Sequence, residues 1–203
     1  MYRFPARALG ALLAALMLAT LSARQVAATE LGGDFVLHRA GGGSYALHES
    51  RGKVVIVFFG YTSCPDVCPM TLGLLHIVMK RLGPQARDVQ PLFVTVDPGR
   101  DTPEVLRSYV AQFDASIIGL TGPLADLRSI TARYGTYFRY DGDVASGRYT
   151  VDHSASLYVI DRQGHLARII PAGMPATQIL DSVRQVLNAS GPARRDGGTP
   201  PGS

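Results

Sequence analysis

Residues 54–69, VVIVFFGYTSCPDVCP, combine a long apolar run with a loop that contains two cysteines. Six apolar residues run without interruption from Val54 to Phe59, which is typical of a strand buried on both faces of a sheet. A loop follows at once, and it contains Cys64 and Cys68, the two cysteines of the chain. Ligands of α/β proteins gather at the carboxyl ends of such strands. The cysteines therefore lie where a functional site is expected.

Strand and helix patterns alternate along the chain after this segment. Thr102 is a predicted helix cap with Pro103 in the first helical position, and Gly83 ends the helix that follows the cysteines. This order predicts an α/β fold, a central mixed sheet with helices on both faces, preceded by an N-terminal β-hairpin. Strands are predicted at 54–59, 92–96, 117–120, 157–160 and 167–170, arms of a loop at 137–140 and 148–151, and helices at 69–82, 103–113, 123–134 and 177–187.

The first 28 residues are predicted to be a targeting segment. Arg3 and Arg7 precede an apolar stretch from Ala8 to Leu21, and small residues offer a cleavage site after Ala28. A signal peptide and a retained N-terminal membrane anchor both fit, although even the 16 residues from Ala8 to Ala23 reach only about 24 Å of a roughly 30 Å hydrocarbon core. Either one places the folded domain in the periplasm or on the extracytoplasmic side of the inner membrane.

The rest of the chain is predicted to be one domain, residues 29–188, followed by a disordered tail, residues 189–203, rich in Gly and Pro. The whole chain of 203 residues is 46% hydrophobic, enough for a single core. Its formal charge of +4 comes largely from both ends, so the domain itself is close to neutral. Without a basic stripe to neutralise phosphates, nucleic acid is not an expected partner.

The two cysteines are spaced as C-x-x-x-C, which on a helical turn would place both sulfurs on one face. Pro69 suits a first helical turn and so predicts that Cys68 lies near the N-cap, where the helix dipole would favour the thiolate. Four interpretations stay open at this point: a structural disulfide, inert buried thiols, thiol redox chemistry without a metal, and metal binding. A disulfide that closes so short a loop would stabilise the fold little.

Metal binding requires a third ligand, and His153 is the best candidate among the five histidines. It follows a predicted strand arm and precedes a buried strand. His76 lies about 12 Å along the helix from Cys68, and His165 lies at a turn. Two further histidines, His38 and His48, belong to the N-terminal region.

Two thiolates and one imidazole form a soft donor set, and copper fits it best. Cu(I) accepts few sulfur ligands, and Cu(II) tolerates thiolate with imidazole. Structural zinc and iron–sulfur clusters normally need four protein ligands. Asp66 and Asp152 are candidates for holding a ligand in place, or they are solvated turn carboxylates.

The chain resembles the Sco/SenC family of copper proteins over about residues 34–187. The resemblance rests on GYTSCPDVCP at 60–69, VDPGRDTP at 96–103 and VDHS at 151–154. It implies a thioredoxin-like fold, copper as the bound metal, and Cys64, Cys68 and His153 as its ligands.

The resemblance also implies a function in assembly of cytochrome c oxidase. The implied role is a metallochaperone without substrate turnover, which receives copper from a donor protein and delivers it to the subunit that carries the CuA centre. A thiol-disulfide oxidoreductase acting on cysteines of the oxidase or of other exported proteins, and a redox or copper sensor, are the alternatives. Asp97, Arg100 and Asp101 shape the loop beside the site or form a docking face, and both interpretations stay open.

Overall fold

The computed structural model describes residues 31–189 and residue 191. The predicted targeting segment, residues 1–28, and nearly all of the predicted tail lie outside these residues. Among the described residues, none of the helices combines the length and the apolar character that crossing a membrane requires.

Nine strands and four α-helices make up the described chain. The strands are β1 (Val36–Arg39), β2 (Ser44–Ala46), β3 (Val54–Gly60), β4 (Val89–Thr95), β5 (Ile118–Thr121), β6 (Phe138–Asp143), β7 (Arg148–His153), β8 (Ser156–Ile160) and β9 (Leu166–Pro171). The helices are α1 (Val67–Leu82), α2 (Pro103–Ala111), α3 (Leu124–Arg133) and α4 (Ala176–Ala189).

Seven of these strands form one mixed sheet in the order β2-β1-β5-β4-β3-β8-β9. β3 pairs in parallel with β4, β4 pairs in parallel with β5, and β3 pairs antiparallel with β8. β1 and β2 form the predicted N-terminal hairpin at one edge. All seven residues of β3 are buried, as its apolar run predicts. The predicted central mixed sheet is therefore confirmed.

Both faces of the sheet are covered. Phe58 and Phe59 point to opposite faces because side chains alternate along a strand. On one face Phe58 packs against Phe93, which in turn contacts Tyr109 of α2. On the other face Phe59 packs edge-on against Tyr134, directly after α3, with ring centroids 5.6 Å apart.

Helix α1 begins earlier than predicted. Its first residue is Val67 and its N-cap is Asp66, whereas the sequence pattern placed its start at Pro69. Proline is tolerated there because the first backbone N–H groups of a helix have no partner within it. Cys68 is therefore the second helical residue, near the N-cap as predicted, and Cys64 lies in the preceding loop, so the two sulfurs do not share a helical turn.

β6 and β7 form a separate two-stranded antiparallel sheet. The sequence pattern predicted only two short arms around a loop at these positions. Each strand is longer than predicted, and the register pairs Phe138 with His153 at the open end of the hairpin. This pairing brings the end of β7 back towards the central sheet.

Candidate metal centre

Both cysteines follow the carboxyl end of β3. The chain turns directly after Gly60, and the backbone N–H of Cys64 donates to the carbonyl of Tyr61 at 3.3 Å. Cys64 is half-buried, whereas Cys68 is fully buried at the start of α1. Gly60 leaves the room that the Cys68 sulfur needs, because a Cβ at this position would lie 2.8 Å from it. Both cysteines are free thiols.

His153 meets these sulfurs from the other side. It is the last residue of β7, and its Nε2 lies 3.6 Å from the Sγ of Cys68. The two sulfurs and one ring nitrogen lie within 4.8 Å of one another. The structure thus brings together all three residues that the sequence singled out, from a loop, a helix and a distant strand.

The imidazole is oriented for binding through Nε2. Its Nδ1 lies 3.2 Å from the carbonyl oxygen of Ser154, so a proton on Nδ1 leaves the Nε2 lone pair facing Cys68. The ring of Tyr61 packs against the imidazole with centroids 5.8 Å apart. Burial lowers the pKa of His153, which favours the neutral ring that a metal requires.

The prediction of a thiolate at Cys68 is wrong for the metal-free protein. Burial raises the pKa of the Cys68 thiol far above its ordinary value, and the neighbouring Cys64 adds to the effect. Desolvation of a charge at a fully buried sulfur outweighs the helix dipole, which contributes at most about 2 kcal/mol. A metal ion must therefore displace the Cys68 proton when it binds.

The two carboxylates proposed as supports lie on the surface. Asp66 is exposed at the N-cap of α1 without a side-chain capping bond. Asp152 is exposed and pairs with Arg139 at 3.5 Å. These contacts fit solvated carboxylates better than carboxylates that hold a metal ligand in place.

The remaining histidines lie apart from this group. His76 pairs with Asp114 at 3.0 Å, and His48 pairs with Asp34 at 2.7 Å. The side chain of His165 is 72% exposed beside Asp161. His38 lies in the β1–β2 hairpin.

Asp101 supports the loop that carries Cys64. It is 1% exposed, and its carboxylate accepts hydrogen bonds from the backbone and hydroxyl of Thr62 and from the hydroxyl of Thr95. Burial raises the pKa of Asp101, and the bonds from Thr62 and Thr95 lower it in part. These contacts favour the loop-shaping interpretation of Asp101 over a docking role.

The structure adds two aromatic residues that sequence reasoning missed. Tyr61 packs against the imidazole of His153. Tyr149, on the same strand as His153, donates a hydrogen bond from its hydroxyl to Asp97. Strand alternation offered a signal, since Tyr149, Val151 and His153 share one face of β7.

The group combines two thiols with a neutral imidazole in a half-buried position. Sulfur and imidazole nitrogen suit copper or zinc rather than magnesium or calcium. Three protein ligands leave a coordination position open, unlike the closed four-ligand sites of structural zinc. The arrangement can therefore hold a soft metal ion that another ligand could reach.

Comparison with known proteins places this arrangement in a family. A sequence profile described as SCO1/SenC matches residues 23–188. The SCO2-like protein of Rickettsia felis is 37% identical over 136 residues, 66% of each chain. The mitochondrial protein SCO2 of Saccharomyces cerevisiae is 34% identical over 168 residues, which are 82% of this chain and 56% of the yeast protein. The chain thus spans about two thirds or less of these relatives.

Solved structures agree with these matches. Copper-bound yeast Sco1 matches with a TM-score of 0.74 and 33% identity, covering 82% of this chain and 93% of that one. Copper-bound ScoI of Bradyrhizobium japonicum matches with a TM-score of 0.70 and 32% identity, covering 77% and 99%. The predicted thioredoxin-like class is confirmed by these structural matches. On the profile, the relatives and the fold together, the chain belongs to the SCO1/SenC family.

Proposed function

We propose that this protein binds one copper ion through Cys64, Cys68 and His153 and assists assembly of the CuA centre of cytochrome c oxidase. One observation carries the proposal: the Nε2 of His153 lies 3.6 Å from the Cys68 sulfur, across 85 positions of sequence. A half-buried imidazole aimed at a thiol pair, with its own Nδ1 satisfied by a carbonyl, has the geometry of a metal ligand.

Copper suits this donor set in both of its oxidation states. Cu(I) is stable with two sulfurs, and Cu(II) gains from the imidazole. Two thiolates nearly balance the charge of either ion, so neither state needs a further buried counter-ion. Yeast Sco1 and Bradyrhizobium japonicum ScoI, both about one third identical to this chain, have structures with copper bound.

The accessibility of the group favours a carrier over a permanent holder. Cys64 is half-buried beside exposed Pro65 and Asp66, so an incoming ligand could approach its sulfur from outside. The proposed partners are a copper donor protein and the oxidase subunit that carries the CuA centre. The proposed place of action is the periplasm or the extracytoplasmic side of the inner membrane, with residues 1–28 as signal or anchor.

A copper titration of the reduced protein tests the proposal. We expect one copper per chain, with thiolate-to-copper charge-transfer absorption in the Cu(II) form. His153→Ala should weaken Cu(II) binding by about tenfold or more, since outer supports of metal sites alone are worth 10–100-fold. Cys64→Ser or Cys68→Ser should nearly abolish binding.

His165→Ala is the matched control, because this imidazole is 72% exposed and lies apart from the cysteines. Its copper affinity should equal that of the wild-type protein. Equal Cu(II) affinity in the wild type and in His153→Ala would contradict the proposed ligand set.

A thiol-disulfide oxidoreductase is the second candidate, because two free sulfurs lie within 4.8 Å of each other. Cys64 would be the attacking thiol, since Cys68 is fully buried with a raised pKa. Disulfide exchange does not need an imidazole ligand. Thiol reductase activity that survives His153→Ala, in a protein that does not retain copper, would favour this alternative.

A further inference from the structure

The strand that carries His153 is not part of the central sheet. Within residues 31–189, β6 and β7 pair only with each other. Strand β8 of the large sheet begins at Ser156, three residues after His153, so the large sheet constrains this end of β7 through a short linker but does not pair with it. Side-chain contacts along the rest of the hairpin help to set its distance from the cysteines.

One contact joins the Tyr140 hydroxyl to the carbonyl oxygen of Val96 at 2.9 Å, and several others gather at Tyr149. Arg100 donates from Nη1 to the carbonyl oxygen of Tyr149 at 2.9 Å, and its guanidinium lies 3.7 Å from the centre of the Tyr149 ring. The Tyr149 hydroxyl donates to Oδ1 of Asp97 at 2.7 Å. Asp97 also accepts from Nε of Arg100 at 2.5 Å, which closes the set. We call Asp97, Arg100 and Tyr149 the clamp.

The clamp is anchored in the core and not on the surface. Asp97 directly follows Val96 and is 1% exposed, whereas the Arg100 side chain is 27% exposed, so the ion pair is buried on its Asp97 side. Burial and the hydrogen bond to Asp97 raise the pKa of Tyr149 to about 12, so the hydroxyl stays protonated as a donor. Fork-shaped, partly desolvated arginine contacts of this kind are strong and directional.

Arg100 also faces the cysteine side of the site. Its guanidinium lies 5.8 Å from the ring centre of Tyr61, which packs on the imidazole of His153. Tyr149 and His153 point to the same face of β7, about 13 Å apart along the strand. The clamp thus connects the strand that carries the imidazole with the loop that carries Cys64.

We infer that the clamp is a positioning unit for His153, which holds the hairpin at the distance where the imidazole can join the two sulfurs. The inference rests on the proposed copper site. Without the clamp, we expect the thiol pair to keep its place, because Asp101 still holds the cysteine loop through Thr62. Loss of the clamp should therefore weaken Cu(II), which depends on imidazole, and spare Cu(I), which two sulfurs satisfy.

Arg100→Met tests this selectivity. We expect Cu(II) affinity to fall about tenfold or more, as for other supports of metal ligands, with an altered charge-transfer band. Cu(I) affinity should stay within about threefold, since two sulfurs suffice for it. Tyr149→Phe is the milder variant, since it removes only the bond to Asp97, and its loss should be smaller. Arg107→Met, at an exposed position of α2, is the matched control and should bind both ions as the wild type does.

A double variant separates positioning from a general loss of stability. If the clamp acts through His153, then Arg100→Met should cause no further loss of Cu(II) affinity in the His153→Ala background. If Arg100→Met lowered Cu(II) affinity as much in the His153→Ala background as in the wild-type background, the inference would be overturned. Equal Cu(II) affinity in Arg100→Met and the wild type would also overturn it. Equal losses of Cu(I) and Cu(II) would overturn it as well.

A measurement without metal keeps the clamp testable if the copper proposal itself fails. In the metal-free protein, Arg100→Met should speed hydrogen exchange at the amides of β6 and β7, while the amides of β3 and β4 keep their protection. Unchanged exchange in the hairpin would refute the clamp. A wild-type protein that binds no copper would instead refute the proposed function.

Discussion

The packing of the site requires that residue 60 has no side chain. A Cβ there would lie 2.8 Å from the Cys68 sulfur and 2.8 Å from the ring of Phe93, and neither neighbour has room to move within the core. We expect Gly60→Ala to lower the free energy of unfolding by about 1–3 kcal/mol, the usual cost of overpacking. It should also weaken copper binding by displacing the sulfur. Denaturant unfolding and a copper titration measure the two effects.

Gly73 provides the opposite case on the same helix that carries Cys68. A Cβ at Gly73 meets nothing within 4 Å. Gly73→Ala should therefore stabilise the protein by up to about 1 kcal/mol through helix propensity. Copper affinity should not change. If both glycine variants behaved alike, close packing at Gly60 would not be the cause.

The charge state of Cys68 marks a limit of reasoning from sequence at the residue scale. A position near a helix N-terminus predicts a thiolate, and the residue is indeed the second of α1. The sequence does not reveal that the sulfur is fully buried, and burial reverses the direction of the pKa shift. By contrast, His153 could be chosen from its place between two strand patterns.

At the scale of elements, the loop between β4 and α2 supports the loop between β3 and α1. Asp101→Ala removes the acceptor for the Thr62 backbone, the Thr62 hydroxyl and the Thr95 hydroxyl. Buried donors left without a partner cost about 1–3 kcal/mol each, and the charge burial that is relieved offsets part of this. We expect a net loss of about 2–4 kcal/mol in the free energy of unfolding.

Asp181→Ala, at an exposed position of α4, is the control for that loss and should stay within about 0.5 kcal/mol of the wild type. Thermal or denaturant unfolding of both variants decides the matter. A loss at Asp101 no greater than at Asp181 would mean that the carboxylate does not support the cysteine loop.

Elements with a strong local pattern could be predicted, and elements set by contacts across the chain could not. The apolar run of β3 and the cap at Thr102 appear in the structure as expected, with Thr102 accepting from the backbone of Val105. The full length of β6 and β7 was missed because polar residues such as Asp141 and Asp143 disfavour strands locally. Across the hairpin, the rings of Tyr140 and Tyr149 pack edge-to-face with centroids 5.3 Å apart.

At the scale of the whole molecule, the residues before β1 belong to the fold. Gly32 donates to the carbonyl of Arg133, the hydroxyl of Tyr134 donates to the carbonyl of Gly33, and Phe35 is buried. A protein that begins at Val36 should be about 3–5 kcal/mol less stable than one that begins at Leu31, mainly through loss of Phe35. Urea unfolding followed by circular dichroism compares the two.

The protein that begins at Leu31 should also bind one copper per chain, as the full chain does. Equal stability of the two shortened proteins would contradict the structural role of these N-terminal residues. The order of strands in the sheet could not be read from local patterns, since β8 joins β3 from a hundred residues away and only the folded chain brings them together.

The distance in sequence between Cys68 and His153 has a consequence for how a bound ion could be released. An ion bonded to both would act as a removable cross-link around a loop of 85 positions, and closing loops of that length is worth about 4–5 kcal/mol of chain entropy. If both ligands lay on strands of the large sheet, such a link would stabilise the whole fold against unfolding. Since one end lies on a hairpin outside the large sheet, we expect a local opening of the hairpin to detach the imidazole and leave the rest of the molecule folded.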